Sequence, residues 1–564
     1  MSPQPVLECV PNFSEGRDPA VIGVIRDRIA GVAGVRVLNV EPGHATNRTV
    51  VTFVGRPDAV VEAAFRGAAA AAELIDMSTH TGAHPRFGAL DVCPLVPVSG
   101  ITMDEAVVHA RALAQRIGRE LGIPVYCYEF AATTPERRNL ADVRAGEYEG
   151  LPEKIARSGW RPDFGPASFN ARSGATAVGA RKFLVAYNVN LNTTSTRRAN
   201  AIAFDVREKG RIARAPDPLT GEVLRDKDGN PVWTPGSLRA VKGIGWFIEE
   251  YGIAQVSLNL TDLDVTPMHV AFEEVCRRAE ARGVRVTGSE LVGVVPLEAM
   301  LEAGRYFLRK QRRSVGIPDR EIVRIAARSL GLDELRPFDP DEKIIEYAMR
   351  DREADRLVDR SVTRFVEETA SESPAPGGGS VAAAVGALGA ALGAMVANLS
   401  SHKRGWDDRW EHFSGWAERG TRCHDELLRL VDEDTAAFNR VLAAYGLPKE
   451  TPEERAARVA AVQTAMRGAI EVPLRVMEVA VDALAVARQM AEEGLPSSVS
   501  DAGVGALCAR TAIRGAGYNV RINLSGLEDE AYRREVRARA DDLERRAEAL
   551  EREALAFVDR KITG

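Results

Sequence analysis

The chain is poor in cysteine, histidine and aromatic residues, and each shortage excludes something. Six cysteines, at positions 9, 93, 127, 276, 423 and 508, are scattered over 564 residues. None forms a CxxC pair, so the pattern excludes a zinc ribbon and a disulfide framework and reads as reduced thiols of a cytoplasmic protein. An excess of one charge is missing too: a net charge of −6 leaves no electrostatic footprint for nucleic acid. The opening residues, Met1 to Glu8, lack a basic-then-apolar signal pattern. The one long low-charge run, Ala375 to Ser401, is mostly Gly and Ala. Its weak apolarity reads as a buried helix in preference to a membrane span.

What is present is ordinary for a globular protein, with 45% hydrophobic and 27% charged residues. The length exceeds what one core supports, so three or four domains are expected. Before residue 350, short β-branched runs alternate with helical patterns. Strands are expected at Val35 to Val40, Thr49 to Val54, Val92 to Pro97, Val125 to Tyr128 and Phe183 to Leu191. Ala254 to Asn259 and Val284 to Thr287 read as further strands, and Ala59 to Ile75, Thr196 to Val206 and Pro267 to Arg282 as helices. The turn-rich stretch within 212–236 reads as an exposed insertion.

After residue 350 strand signals almost vanish. Helices are expected over Ser361 to Ala370, Ser380 to Ser401, Trp406 to Leu442, Glu453 to Met490, Ser500 to Gly515 and Asp529 to Arg560. Leu427, Val431, Phe438, Val441 and Leu442 fall on one helical face. The expected class is α+β followed by all-α. Two α/β sandwich subdomains of ferredoxin-like βαββαβ type precede a helical bundle.

Polar chemistry concentrates in His80 to Asp91, which holds two of the eight histidines, Arg86, Asp91 and two glycines. Pro85 restricts His84 to extended geometry, which weakens a helical i, i+4 metal pair. Such a loop histidine serves either proton transfer near neutral pH or a structural hydrogen bond. In Val431-Asp-Glu-Asp-Thr-Ala-Ala-Phe438, the spacing puts Asp434 on the apolar face and Asp432 and Glu433 elsewhere. Pro376-Gly-Gly-Gly-Ser380 precedes a small-residue helix, whose start suits either an anion or tight helix packing.

These residues carry a resemblance. Glu8-Cys-Val-Pro-Asn-Phe-Ser-Glu-Gly16, Thr46-Asn-Arg-Thr-Val50, the His84 block, Lys242-Gly-Ile-Gly-Trp246, Ala375-Pro-Gly-Gly-Gly-Ser380 and Leu430-Val-Asp-Glu-Asp434 are similar to the formimidoyltransferase-cyclodeaminase family. The likeness runs in one order through nearly the whole chain. It implies transferase subdomains at 1–183 and 184–349, a linker at 350–357 and a cyclodeaminase bundle at 358–564. It also implies two reactions of histidine degradation. The formimidoyl group passes from N-formimidoyl-L-glutamate to N5 of tetrahydrofolate. The product then closes to 5,10-methenyltetrahydrofolate and releases ammonia.

His84 matches the family's catalytic histidine and Asp434 its acid–base aspartate. Asp91 or Glu41 can orient the imidazole. Arg48, Arg86 and Arg181 are candidates for anionic substrates, because a guanidinium fork matches a carboxylate; a structural ion pair is the other reading of each. The family's folate-binding loop corresponds to Gly165, Pro166, Ala167, Ser168, Phe169, Asn170, Ala171, Arg172, Ser173 and Gly174. Asp501, Asn519 and Asn523 are further candidates for holding the pterin. The implied co-substrate is tetrahydrofolate and no metal is called for. The implied partners are formimidoylglutamate, tetrahydrofolate and its polyglutamates, with no nucleic acid and no membrane, in a homo-oligomer. A formyl donor, a single activity and a purely scaffolding bundle remain alternatives at this level.

Overall fold

Strands whose side chains alternate between helices and a second layer build the N-terminal sheet. The computed structural model describes residues 5–44, 46–82, 86–216, 221–349, 356–373 and 375–563. The chain divides into two compact units, 1–303 with 327–350, and 304–326 with 351–564. Residues 304–326 thus belong with the helical unit, although the sequence places them within 184–349.

In the first unit the strands are β1 (Val6–Cys9), β2 (Asn12–Phe13), β3 (Val35–Gly43), β4 (Arg48–Gly55), β5 (Leu90–Ser99), β6 (Val125–Glu129) and β7 (Thr176–Ala180). The order is β3-β4-β1-β5-β7-β6, with β2 also lying between β4 and β5. Pairing is antiparallel except at β5–β7 and β7–β6, which are parallel. Helices α1 (Pro19–Ala30), α2 (Pro57–Leu74) and α3 (Met103–Glu120) bury Ile25, Ile29, Val60 and Leu113 against Leu7, Cys9 and Phe53. Each helix has a legible start. Asp18 accepts from Ala20 N at 2.8 Å, Pro57 opens α2, and Thr102 with Glu105 forms a capping box. Short helices α4 (Leu140–Arg144) and α5 (Leu151–Ala156) follow β6.

The second sheet comprises β8 (Val185–Leu191), β13 (Val241–Ile248), β14 (Ile253–Leu260) and β15 (Val286–Val292), in the antiparallel order β13-β14-β8-β15. Helix α6 (Thr196–Val206) precedes four two-residue strands, Arg211–Ile212, Arg214–Ala215, Glu222–Val223 and Trp233–Thr234 (β9 to β12). Helix α7 (Met268–Glu280) leads into β15. The glycines in Lys242-Gly-Ile-Gly-Trp246 hide β13 from a propensity reading. A β-carbon at Gly245 would overlap the backbone of Ala199 and Asn200, so glycine is what lets α6 approach. Tyr187, Val189, Val256 and Leu258 are buried on the helix-facing side, while Asn188, Asn190, Gln255 and Glu290 share the other.

Helix α8 (Leu297–Lys310) spans the division between units, and α9 (Asp319–Leu330), α10 (Pro340–Lys343) and α11 (Ile345–Ala348) follow. The expected junction from Asp351 lies outside the described residues up to position 355.

The helical unit contains α12 (Val362–Thr369), α13 (Gly378–Ser401), α14 (Trp410–Tyr445), α15 (Pro452–Glu493), α16 (Val499–Leu524) and α17 (Glu530–Thr563). Helix α13 has a mean hydropathy of 1.9 in its most apolar window, and 61% of that window is buried. It packs against α14, α15 and α16 through Gly386, Gly389, Ala390 and Gly393, whose small size lets three neighbours close in. Within this unit, the loop after α8 is pinned to the bundle: Asn398 Nδ2 and Thr421 Oγ1 both donate to Gly316 O, at 2.8 and 3.0 Å. One expectation needs correction. Helix α16 runs to Leu524, past Gly515, because Ala516, Val520 and Leu524 continue its buried face. On α14, Leu427, Val431 and Val441 are buried, but Phe438 and Leu442 are 37% and 47% exposed. The stripe is not wholly core, because Phe438 borders a cavity.

Candidate functional site

The N-terminal candidate site is assembled from three sequence-distant segments of the first unit. His84, with Ala83 and Pro85, lies outside the described residues; its neighbours on both sides are placed. Phe87 O accepts from Ala175 N at 3.1 Å, Ala89 N donates to Ser173 O at 2.9 Å, and Met77 N donates to Arg172 O at 2.9 Å. The folate-loop candidate 165–174 is therefore stitched to the segment that carries His84. A β-carbon at Gly88 would overlap the backbone of Ser173 and Ala175, and Gly174 has φ +66°, so glycine is required at this crossing.

Within the loop, Phe169 is 36% exposed and lies 5.4 Å from the Tyr148 ring, centroid to centroid. Tyr148 Oη donates to Ala171 O at 2.6 Å, and Asn170 Oδ1 accepts from Ser173 N at 2.9 Å. Arg172 donates to Glu73 O at 2.6 Å. These bonds hold a loop whose Gly165, Pro166, Ala167 and Ser168 are exposed.

The arginines have protein partners. Arg86 donates to His80 O, pairs with Glu149 and lies 5.3 Å from the Tyr148 centroid. Arg48 donates to Asn12 Oδ1 and stands 3.9 Å from Asp91. Asp91 is 1% exposed, pairs with Arg144, and keeps Oδ1 without a partner among the described residues. Burial, then the neighbouring Arg48 charge, lowers the Arg144 pKa to about 10. Glu41 accepts from Asn39 at 2.6 Å on an exposed part of β3. His80 is buried, with Nε2 2.9 Å from Asn47 O. Arg181 lies near Glu8, a buried carboxyl that desolvation pushes up to about 7 against the arginine's opposing charge.

The sequence reading missed a polar network on the second sheet. Trp246 Nε1 donates to Gln255 Oε1 at 3.2 Å, Gln255 Nε2 to Asn190 Oδ1 at 2.8 Å, and Asn190 Nδ2 to Glu334 Oε2 at 2.6 Å. Asn190 and Gln255 are fully buried. Their alternation along Tyr187-Asn188-Val189-Asn190 was the available signal, since it places amides on one face of a strand.

In the helical unit the three acids of 432–434 separate as the helical spacing requires. Asp432 accepts from Leu357 N at 2.7 Å and stands 3.5 Å from Arg356, and Glu433 pairs with Arg429. Among the described residues Asp434 pairs with no arginine. Its Oδ2 accepts from Ser380 Oγ at 3.1 Å, and that hydroxyl also lies 2.9 Å from Val431 O. Asp434 lines a cavity of about 220 Å³ with Gly377, Gly378, Phe438, Met466, Asn519 and Asn523. Burial pushes its pKa up, and hydrogen bonds from the Ser380 side chain and backbone pull it partly back. The Asn519 and Asn523 amides are anchored through Nδ2 to Gly515 O and Ala469 O, at 2.9 and 2.8 Å. Asp501, in the first turn of α16, is not among the cavity's lining residues. Among the described residues, no group of three or more His, Cys, Asp or Glu could hold a metal ion.

This arrangement sits in a chain that three family models match in succession between residues 6 and 542. The formiminotransferase domain N-terminal subdomain matches residues 6–181, the formiminotransferase domain matches 186–350, and the formiminotransferase-cyclodeaminase model matches 361–542. A formimidoyltransferase-cyclodeaminase of Mus musculus is 44% identical over 539 residues, 95% of this chain and 96% of its own. The chain belongs to the formimidoyltransferase-cyclodeaminase family. Separate relatives resemble its parts. The glutamate formimidoyltransferase of Thermoplasma acidophilum is 44% identical over 306 residues, 54% of this chain and 92% of its own. The methenyltetrahydrofolate cyclohydrolase of Methylorubrum extorquens is 36% identical over 193 residues, 34% of this chain and 93% of its own. In a formimidoyltransferase-cyclodeaminase, a ring closure with loss of ammonia calls for a group that takes and returns a proton, and a carboxyl whose pKa burial raises is of that chemical kind.

Proposed function

We propose that the chain is a bifunctional folate enzyme that moves a formimidoyl group from N-formimidoyl-L-glutamate to tetrahydrofolate and then closes the ring with loss of ammonia. Residues 1–183 and 184–349 carry the transferase, and 358–564 the cyclodeaminase. In the second sheet the first and last strands, β8 and β15, lie adjacent at the centre and edge, and in the first sheet β3-β4-β1-β5 repeats that order with β7 and β6 added beyond β5; both orders support a ferredoxin-like βαββαβ reading.

In the first step N5 attacks the amidine carbon, N5 loses a proton, and the glutamate nitrogen leaves as an amine after gaining one. His84 accepts the first proton and returns it. Phe169 offers a ring face to the folate. Arg48 and Arg86, held by Asn12, Asp91 and Glu149, position the segments around the substrate carboxylates. In the second step N10 attacks the carbon of the N5 amidinium. Asp434 takes the N10 proton and delivers it to the departing nitrogen, which leaves as ammonia, and the 5,10-methenyl cation remains.

The observation that carries this reading is Asp434: a desolvated carboxyl, bonded to Ser380, on a cavity that it lines with Thr435, Asn519, Asn523 and the glycines of 377–379. The test follows methenyltetrahydrofolate absorbance and ammonia in wild type, His84→Ala and Asp434→Ala. Wild type makes both products, His84→Ala makes neither, and Asp434→Ala accumulates 5-formimidoyltetrahydrofolate. Ammonia release that survives in Asp434→Ala would overturn the assignment of Asp434 as the proton carrier of the ring closure.

We also propose a cytoplasmic homo-oligomer. All six cysteines are free, which suits a reducing compartment. Leu388, Met395 and Leu399 of α13 and Val504, Leu507, Tyr518 and Ile522 of α16 are exposed, and these helices pack side by side. Such an apolar surface supports self-association.

A further inference from the structure

Four arginines converge on one cavity that the folate chemistry leaves unused. The cavity measures about 350 Å³ and is walled by Arg197, Phe204, Arg207, Arg211, Arg214 and Trp233. Arg197 and Phe204 lie seven residues apart on α6, on one face of the helix. Arg214 and Trp233 come from the insertion, and Arg211 immediately precedes it. The ladder Trp233↔Ile212 folds the insertion back on itself and brings its two ends to that face.

The positive charge there is poorly balanced. Arg211 pairs with Asp205, but Asp205 also pairs with Arg282. Arg207 donates to the carbonyls of Gly210 and Gly243, at 2.8 and 3.2 Å, and lies 3.9 Å from the Phe204 centroid. Arg214 donates to Gly221 O at 2.9 Å. Neither Arg197 nor Arg214 meets a carboxylate among the described residues. Lys209 adds a further cation, 4.4 Å from the Trp233 ring centroid. Burial first, and then the Arg211 charge, lowers the Arg207 pKa.

Converging guanidinium groups repel one another unless an anion sits between them. Carbonyl bonds and ring contacts hold Arg207 rigidly, so little ordering entropy is lost when a ligand binds. A cavity of this size fits a metabolite, and arginine forks match phosphate and carboxylate oxygens two at a time.

We propose that this cavity binds a small multivalent anion, a metabolite bearing two or more phosphate or carboxylate groups. The site lies on the second sheet's helix side and in the insertion, and it is separate from His84, the 165–174 loop and Asp434 in sequence and in role.

The test is calorimetric titration of the full chain with pyrophosphate and, separately, with citrate, at constant ionic strength. Saturable binding tighter than about 1 mM is expected for at least one of them. Pyrophosphate alone assigns a phosphate ligand, and citrate alone a polycarboxylate. The double variant Arg197→Ala/Arg214→Ala weakens binding by at least about tenfold, as loss of two charge-assisted contacts requires. Arg214→Glu weakens it too, and both variants keep the thermal midpoint and the transferase turnover. Ligand-dependent fluorescence is lost in Trp233→Phe. The proposal is overturned if neither anion binds saturably, or if the double variant and Arg214→Glu bind as wild type does.

Discussion

Gly379 faces the carboxylate of Asp434 so closely that a β-carbon at 379 would overlap both carboxylate oxygens. The glycine is therefore part of the proposed cyclodeaminase site. Gly379→Ala pushes the Asp434 carboxylate off the Ser380 hydroxyl. Misplacing a reacting group by about 1 Å costs on the order of 100-fold. Ammonia release is expected to fall by that order, and formimidoyl transfer, assayed by loss of formimidoylglutamate, to stay unchanged.

Asp434→Asn separates the chemistry from the fold. The folded pKa of Asp434 is raised, with burial as the first cause. A raised carboxyl adds stability below its unfolded pKa and loses that contribution as pH rises through the folded value. At pH 7 the asparagine variant is thus expected to melt at or above the wild-type temperature, with the difference shrinking as pH approaches 4. Cyclisation is expected to be lost throughout. A variant that melts well below wild type at pH 7 would contradict this.

Glu8 carries a larger cost of the same sign. Its carboxyl is pushed to about 7 from 4.5 by burial, less the effect of Arg181. Its contribution to stability is full below 4.5 and lost between there and about 7. Glu8→Gln is expected to stabilise the transferase half by about 3 kcal/mol at pH 8, an upper bound at about 1.4 kcal/mol per unit. The gain is expected to vanish by pH 4, which urea unfolding at the two pH values would check.

Arg144→Met leaves Asp91 buried with only Arg48, at 3.9 Å, to balance it. Removing one partner of a buried pair costs about 3–5 kcal/mol. Denaturant unfolding is expected to show a loss of that order, reduced by whatever Arg48 recovers on moving closer. A loss well below 1 kcal/mol would mean that Asp91 is already neutral.

Much of this was legible in the chain itself. The helix over Thr196–Val206 falls where the spacing places it, because Ser195 caps it and its apolar positions repeat at three and four. The separation of Asp434 from Asp432 and Glu433 follows from helical geometry alone. Strand β13 was not legible, since its glycines serve close packing and lower strand propensity. The arginine cavity was not legible either, because Trp233 and Arg211 meet only when the insertion pairs with itself.

The sequence by itself determined the order of domains, the periodicity of most helices and the family. These follow from local patterns that one turn or one strand can satisfy. Tertiary structure decided which polar groups ended up facing one another: Gly379 under Asp434, the 165–174 loop against Phe87 and Ala89, and the Asn190–Gln255 amide pair. Those contacts join residues tens of positions apart, and burial at such a contact is what raises the Asp434 pKa, so no local pattern encodes them.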